Sequence, residues 1–169
     1  FNADVTYDLS AGTITGITTL TGSPSVVTGD SGQSNTLTGT DAGHSWTITA
    51  ADSGIVGSLT FNNFKNITVG SGDDSFTFNE TASITGILDI SSGSNTFDYS
   101  SFNADVSYNL SAGTITGITT LTGAPTTVTG DTGQTNILTG TNAGLTWDIT
   151  SADTGTVGSL SFVNFKNLT

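Results

Sequence analysis

The sequence contains no cysteine, methionine or arginine, and its only basic residues are Lys65 and Lys166. Without cysteine, disulfide bonds and thiolate metal sites are excluded. The 14 acidic residues give a formal net charge of −12, so no basic patch exists to neutralise nucleic-acid phosphates or an anionic membrane surface. No apolar run reaches the length of about 18 residues that a membrane span needs. We therefore expect that the chain does not bind nucleic acid and does not insert into a membrane.

A long internal repeat organises what is present. Residues 1–22 read FNADVTYDLSAGTITGITTLTG and residues 102–123 read FNADVSYNLSAGTITGITTLTG, so the period is 101 residues. When 1–68 is compared with 102–169, 50 of the 68 positions are identical. We therefore predict a first repeat unit at 1–101 and a second, truncated unit at 102–169, in one continuous array that belongs to a longer protein.

Apolar and polar residues alternate with period two throughout both units. Trp46 and Ile48 alternate with threonines, and Phe76 and Phe78 do the same, which is typical of half-buried strands. The 22 glycines lie mostly between such runs, where they permit tight turns. A sandwich also has many short strands. The long repeat and the recurring Gly-rich turns favour instead an all-β, parallel β-solenoid (β-helix) of either hand, built from a 101-residue repeat of about five coils.

One turn has the spacing of a calcium-binding loop. Residues 70–76 read GSGDDSF, which matches G-x-G-x-D-x-apolar. Calcium prefers carboxylate and carbonyl oxygens and takes six to eight of them. The candidate calcium residues are Gly70, Gly72, Asp73 and Asp74. In a sister turn Asn95 stands where Asp74 would be, so a Gly/Asp corner without metal remains the alternative; calcium is the only cofactor that the sequence suggests.

The residue pattern gives no support to a catalytic site. His44 is the single histidine, and Leu145 replaces it in the second unit, so neither a Ser-His-Asp triad nor a histidine metal site is indicated. Paired carboxylates could cleave glycosides, but Asp8 becomes Asn109 between the units, as expected of a solvated surface. We predict that the chain is not an enzyme.

A motif shared by both units, Phe-x-x-Phe-Lys-Asn, contains the two lysines. Two phenylalanines three residues apart predict a bend at which both rings turn inward, and the lysine is expected to pair with an aspartate or to cap carbonyls. Each unit also has one tryptophan, which we interpret as a core residue. The predicted structural residues are Trp46, Phe61, Phe64, Lys65 and Asn66 in the first unit, and Trp147, Phe162, Phe165, Lys166 and Asn167 in the second.

The stretch NTLTGTDAGHSWTITAADSGIVGSLTFNNFKNITVGSGDDSFTF, residues 35–78, resembles the repeat modules of giant secreted bacterial surface proteins, the filamentous-haemagglutinin-like and RTX-like adhesins. The matching pattern is N-x-L-x-G-T, W-x-I-T, F-x-N-F-x-N and G-x-G-x-D-x-F. The resemblance implies a β-solenoid at an extracellular or bacterial cell-surface location. We expect a stiff stalk of an adhesin or surface fibre, with an unknown adhesion target; a self-assembling filament subunit and a calcium-stabilised RTX-like module are the alternatives. Its expected partners are other repeats, stacked coil on coil.

Overall fold

The computed structural model describes residues 2–169, and within that range it contains twenty short β-strands and no helix. None of the described residues therefore forms a helix that is long and apolar enough to cross a membrane. The strands are β1 (Thr6–Asp8), β2 (Thr13–Ile14), β3 (Val26–Thr28), β4 (Thr36–Thr38), β5 (Ser45–Ala50), β6 (Ser53–Val56), β7 (Leu59–Asn62), β8 (Asn66–Thr68), β9 (Ser75–Phe78), β10 (Ile84–Asp89), β11 (Thr96–Asp98), β12 (Ser107–Asn109), β13 (Thr114–Ile115), β14 (Ile118–Thr122), β15 (Thr127–Thr129), β16 (Ile137–Thr139), β17 (Trp147–Ser151), β18 (Thr154–Val157), β19 (Leu160–Val163) and β20 (Asn167–Leu168).

The period-two alternation decides which side chains enter the core. Phe76 and Phe78 of β9 are buried, whereas the intervening Ser75 and Thr77 are partly exposed. Leu59 and Phe61 of β7 are buried in the same way. Successive side chains of a strand point to opposite faces, so a strand with this pattern presents one apolar face to the interior.

The first sheet has the order β14-β10-β8-β4-β1-β2. Its first five strands pair in parallel, with Tyr7 opposite Leu37, Leu37 opposite Ile67, and Leu88 between Ile67 and Leu121. Between neighbouring strands of this ladder the chain leaves the sheet and returns to it. This topology confirms an all-β, parallel β-solenoid, and the ladder of five strands corresponds to about five turns.

The second sheet has ten strands in the order β17-β18-β19-β15-β11-β9-β5-β6-β7-β3. Most neighbours are parallel, but β6 is antiparallel to both β5 and β7, and β18 is antiparallel to both β17 and β19. Each unit therefore contains a small meander within the solenoid. A Cβ at Gly54 in β6 would overlap the carbonyl of Thr47, and a Cβ at Gly155 in β18 would overlap that of Asp148, so the reversed strands need glycine there.

A third sheet, β13-β12-β16-β20, repeats in the second unit the pairings of β2, β1, β4 and β8. Tyr108 lies opposite Leu138, as Tyr7 lies opposite Leu37. The parallel ladders also cross from the first unit into the second, because Phe97 of β11 lies opposite Val128 of β15.

A single hydrophobic cluster contains the inward-facing residues of all three sheets. Aromatic rings from successive turns stack within it. The Trp46 and Phe76 rings lie 5.6 Å apart at 9°, and the Phe78 and Tyr99 rings lie 4.5 Å apart at 3°. Such pairs contribute about 0.5–1.5 kcal/mol beyond their burial. The core therefore joins each turn to its neighbours.

Candidate functional site

The predicted calcium residues form the corner between β8 and β9, where the chain passes from the first sheet to the second. A Cβ at Gly70 would overlap the carbonyl of Thr40, and a Cβ at Gly72 would overlap the backbone nitrogen of Gly43. The two glycines thus let this corner pack, backbone against backbone, on the corner of the preceding turn. Close packing of corners accounts for the glycine spacing without a ligand.

The two carboxylates of the corner point in different directions. Asp73 is exposed, and its Oδ1 accepts a hydrogen bond of 2.7 Å from the backbone N–H of Ser94 in the next turn. Asp74 is only 2% exposed, and its Oδ1 accepts bonds from the backbone N–H of His44 at 2.9 Å and from the indole Nε1 of Trp46 at 3.0 Å. The corner therefore ties three successive turns together.

Three asparagines occupy the same local position as Asp74, two residues before a buried strand residue. They are Asn35, Asn95 and Asn136, all fully buried. Each accepts with its Oδ1 from a backbone N–H of the preceding turn, at 2.9 Å in every case. Each also donates from its Nδ2 to the carbonyl five residues earlier, at 2.8 to 3.0 Å. We call these three asparagines and Asp74 the corner ladder.

Asp74 differs from the three asparagines at one atom. Its Oδ2 takes the place of an amide that donates two hydrogen bonds, and within residues 2–169 this buried oxygen has no hydrogen-bond partner. A buried polar atom without a partner costs about 1–3 kcal/mol. Asp74 is therefore the one member of the ladder with an unsatisfied group.

One free carboxylate oxygen is far fewer than the six to eight oxygens that calcium takes. The described residues also contain no group of three or more histidine, cysteine, aspartate or glutamate side chains placed to hold a metal. The donor set therefore fits a hydrogen-bonded corner better than a calcium cage. Calcium binding at Asp74 stays a prediction.

The Phe-x-x-Phe-Lys-Asn motif lies at the bend after β7 and again after β19. Phe61 and Phe64 are fully buried and meet edge to face at 6.5 Å, and the rings of Phe162 and Phe165 meet in the same way at 6.4 Å. Lys166 Nζ donates to the carbonyl of Thr132 at 3.0 Å.

The asparagine of this motif bridges turns in the first unit. Asn66 Oδ1 accepts from the backbone N–H of Ile87 at 3.1 Å, whereas the side chain of Asn167 makes no such bond within the described residues.

The two tryptophans are in different environments. Trp46 is fully buried, with its indole N–H on Asp74, whereas Trp147 is half-buried and its indole N–H has no acceptor in the described part of the chain. Trp147 packs edge to face on Phe162 at 6.0 Å, as Trp46 packs on Phe61 at 6.2 Å.

The single histidine and two of the acidic residues lie in the following surroundings. His44 Nε2 lies 2.6 Å from Thr40 Oγ1 at the corner between β4 and β5. A surface cleft of about 590 Å³ includes Glu80 and Asp131. The Asp131 carboxylate already accepts from the backbone N–H groups of Gly133 and Asn103. That the chain is not an enzyme stays a prediction.

The asparagines of the corner ladder were not predicted as functional residues. Their signal was nevertheless present, because Asn-x-Leu or Asn-x-Phe follows a Gly-rich turn at residues 35–37, 95–97 and 136–138. Comparisons with models of protein families, with curated proteins and with solved structures find no match to this chain. The resemblance to bacterial surface-protein repeats therefore stays a prediction.

Proposed function

We propose that the chain is a structural repeat segment of an extracellular bacterial adhesin or surface fibre, in which it acts as a stiff stalk. The observation that carries the proposal is the parallel pairing that crosses from the first unit into the second. β10 pairs with β14 in the first sheet, and β11 pairs with β15 in the second. The ladder of the second sheet is thus continuous across the junction, whereas the parallel ladder β12-β16-β20 of the second unit belongs to a separate sheet.

Side chains reinforce the same connection. The corner ladder links four pairs of successive turns by buried hydrogen bonds, and aromatic stacking joins turns within the core. In an array of this kind each turn contacts only its neighbours, so the stability of the rod is a sum over interfaces and its length is set by the number of units. The formal charge of −12 disfavours lateral association between rods.

The length of the particle tests the stalk. The ten strands of the second sheet span nine spacings, or about 43 Å at ~4.8 Å each. Six of these spacings separate β3 from its counterpart β15, so each added 101-residue unit should lengthen a tandem protein by about 29 Å. Small-angle scattering on proteins with one to four added units should give this linear increment. An increment that shrinks with unit number, as in a flexible chain, contradicts the proposal.

A second candidate, a self-assembling filament subunit, is favoured by exposed apolar side chains on strands within the solenoid. Ile55 of β6 is 42% exposed and Ile87 of β10 is 47% exposed. Exposed apolar side chains are candidates for contacts between chains. Electron microscopy of the purified chain over a range of concentrations separates the two functions, because long multi-chain fibres support the filament and single rods support the stalk.

The surface location is proposed from the resemblance to secreted repeat modules. Under this proposal the partners are further repeats of the same kind, and adhesion itself belongs to another part of the assembly. Binding of the isolated rod to a host surface would contradict this division of roles.

A further inference from the structure

A polar cleft of about 590 Å³ runs across the carboxyl ends of four successive strands of the second sheet, β5, β9, β11 and β15. These strands pair in parallel, and β6 and β19 pair with the two outer ones, so the cleft lies within the solenoid. All its lining residues are polar, and among them are Asn79, Glu80, Ser100, Asn103 and Asp131. Ligand pockets have volumes of about 300–1,000 Å³, so the cleft is large enough for a small hydrophilic molecule.

The backbone is strained where Glu80 enters the cleft. Glu80 has φ of 37° and Thr81 has φ of 62°, in the left-handed region that favours glycine. The other non-glycine residues with positive φ in the described part of the chain are aspartate or asparagine, which tolerate this conformation better. The N–H of Glu80 donates to the carbonyl of Ser101 at 2.9 Å, which holds the turn in place. Strain of this kind clusters at ligand-binding sites, and here it brings a carboxylate to the cleft.

The second carboxylate of the cleft is held by the backbone. Asp131 is only 8% exposed; its Oδ1 accepts from the N–H of Gly133 at 2.8 Å, and its Oδ2 accepts from the N–H of Asn103 at 3.2 Å. Lys166 donates to the carbonyl of the neighbouring Thr132 and forms no ion pair with Asp131 within residues 2–169. Neither lysine of the chain lines the cleft, so both of its carboxylates keep their negative charge without a basic partner.

The other polar side chains of the cleft are free to bind. Those of Asn79, Glu80, Ser100 and Asn103 make no hydrogen bond to any of the residues that the structure describes. Amide and hydroxyl groups both donate and accept, whereas carboxylates only accept. A ligand that satisfies this lining therefore has a positively charged donor for the carboxylates and several hydroxyl groups.

Three other classes of ligand fit the lining less well. An anion is repelled by the two carboxylates. A ligand with a large apolar surface finds no apolar side chain in the lining. A bare metal ion lacks a ligand set, because residues 2–169 contain no group of three or more histidine, cysteine, aspartate or glutamate side chains placed to hold one.

We propose that the cleft binds a hexosamine residue of a saccharide through its protonated amino group. The ammonium group has three N–H donors, and Glu80 and Asp131 have free acceptor positions on their carboxylates. The ring hydroxyls pair with the amides of Asn79 and Asn103 and with the hydroxyl of Ser100. Because the lining has no aromatic ring on which a sugar can stack, charge gives most of the affinity and a single cleft binds weakly. This binding function is additional to the stalk function and does not depend on it.

The cleft is formed at the junction between the two units. Glu80 belongs to the first unit, whereas Asn103 and Asp131 belong to the second, and their counterparts in the first unit are Asn2 and Asp30. Each further junction between units of this sequence therefore forms another cleft, about 29 Å along the rod. A saccharide chain that contacts several clefts binds more tightly than one residue does, because each later contact is intramolecular.

Titration of the intact chain with glucosamine oligosaccharides tests the proposal. In NMR spectra of the 15N-labelled protein, a fully deacetylated tetramer should shift the amide signals of residues 79–81 and 100–103. The N-acetylated tetramer has the same rings without the charge, and it should bind about tenfold more weakly. Signals that do not move with the deacetylated tetramer, or that move equally with both tetramers, overturn the proposal. Tighter binding of the tetramer than of glucosamine identifies a saccharide chain as the ligand, and equal binding identifies the free sugar.

Two variants with the same change of charge locate the site. Glu80→Gln keeps the shape of the side chain, and it should weaken binding of the deacetylated tetramer about tenfold and leave binding of the acetylated tetramer unchanged. Asp41→Asn also removes one negative charge, but Asp41 does not line the cleft, and Asn142 occupies its position in the second unit. This variant should bind like the parent. Equal losses in the two variants show a general attraction to an acidic protein and overturn the site.

Relief of the backbone strain gives a measurement other than binding. Glycine adopts positive φ without steric cost, so Glu80→Gly should raise the urea midpoint of unfolding and at the same time weaken binding of the deacetylated tetramer. A lowered midpoint shows that Glu80 stabilises the turn, and it overturns the role of the strain in binding. The constant length increment of tandem proteins does not depend on any of these results, so failure of the cleft and failure of the stalk are distinguishable.

Discussion

Trp46 and Trp147 occupy the same position in two nearly identical units and differ in what lies on their outer side. The strand of Trp46 is sandwiched between β6 and β9, whereas the strand of Trp147 has β18 on one side and an open edge on the other. Trp46 and Ile48 are fully buried, but Ile149 is 53% exposed. One sequence therefore forms one local structure with two different degrees of burial, and the neighbouring turn decides which.

This difference separates what a unit contributes by itself from what its neighbour adds. The meander, the edge-to-face contact with the following phenylalanine and the positive φ at Asp52 or Asp153 are present in both units. The second unit lacks the indole hydrogen bond, the aromatic stack and the contacts of the aspartate carboxylate. In nearest-neighbour terms, the stability of the Trp46 strand includes its interface with the next turn, whereas the stability of the Trp147 strand does not include such an interface.

The largest expected effect comes from truncating the two tryptophans. Trp46→Ala should lower the free energy of unfolding by about 3–5 kcal/mol, because it removes a fully buried ring and leaves a cavity. Trp147→Ala should cost about 1–2 kcal/mol, since Trp147 is partly exposed and less apolar area is lost. Urea unfolding monitored by circular dichroism gives both values. Equal costs would show that the turn containing β9, which packs on Trp46, does not stabilise β5.

The second effect concerns Asp52, whose carboxylate accepts hydrogen bonds from Thr85 in the next turn. Asp52→Ala should cost about 2–3 kcal/mol more than Asp153→Ala, because only Asp52 accepts charge-assisted bonds, from Thr85. Both residues have positive φ, so the strain of alanine in that conformation is common to the two variants and cancels in the difference. Thr85→Val is the partner control, and it should remove part of the Asp52 effect and leave Asp153→Ala unchanged. A difference near zero contradicts the bridging role of Asp52.

The fold could be predicted from the sequence because its signals are local. Period-two alternation and Gly-rich turns are visible within ten residues, and the 101-residue repeat makes stacking of similar turns the simplest arrangement. The burial of Phe61 and Phe64 follows from their spacing at a bend. These features need no knowledge of which turn lies above which.

The remaining features depend on contacts between distant residues. Ser53–Val56 has the composition of a strand, but its antiparallel direction is set by its neighbours β5 and β7. Asp52 acquires its role from Thr85, 33 positions away. In the calcium motif, Asn95 stands at a position that needs a carboxylate. The motif contains no information about the hydrogen bonds that the amide of Asn95 donates to the backbone.

The third effect comes from exchanging aspartate and asparagine at two positions of the corner ladder. Asp74→Asn should raise the free energy of unfolding by about 1 kcal/mol, because an amide can donate to the backbone where Oδ2 has no partner. Asn95→Asp is the reverse change in the next turn, and it should cost about 2 kcal/mol by losing the two bonds that the amide donates. Urea unfolding of both variants, with and without millimolar calcium, is the measurement.

The calcium arm of that experiment decides the metal prediction. If Asp74 binds calcium, the ion should stabilise the parent chain and not Asp74→Asn, and a chelator should lower the melting temperature of the parent. If Asp74→Asn is destabilising in the absence of calcium, the account of Oδ2 as an unsatisfied group is wrong.

The smallest effect at neutral pH, and the last test of the comparison, concerns the junction between the two units. Tyr99 is fully buried and its hydroxyl donates to the carbonyl of Thr116 at 2.9 Å. Burial, with a smaller contribution from nearby Tyr108, raises the pKa of Tyr99 well above 10.0. Its neutral form therefore contributes stability that is complete below about pH 10 and is lost as the pH rises from there towards the folded pKa.

The parent chain should accordingly lose stability above pH 10, at a limiting slope of about 1.4 kcal/mol per pH unit for this one group. Tyr99→Phe should cost about 1 kcal/mol at neutral pH through the lost hydrogen bond, and should flatten the alkaline slope. Tyr108→Phe is the matched control: burial raises the pKa of Tyr108 as well, but Tyr108 is less completely enclosed, so this variant should flatten the slope less. Denaturant unfolding between pH 8 and 11 measures all three proteins. If the two variants have equal slopes, the junction between units is no more enclosed at Tyr99 than at Tyr108, and the core is less continuous from the first unit into the second than the stacking of Phe78 on Tyr99 indicates.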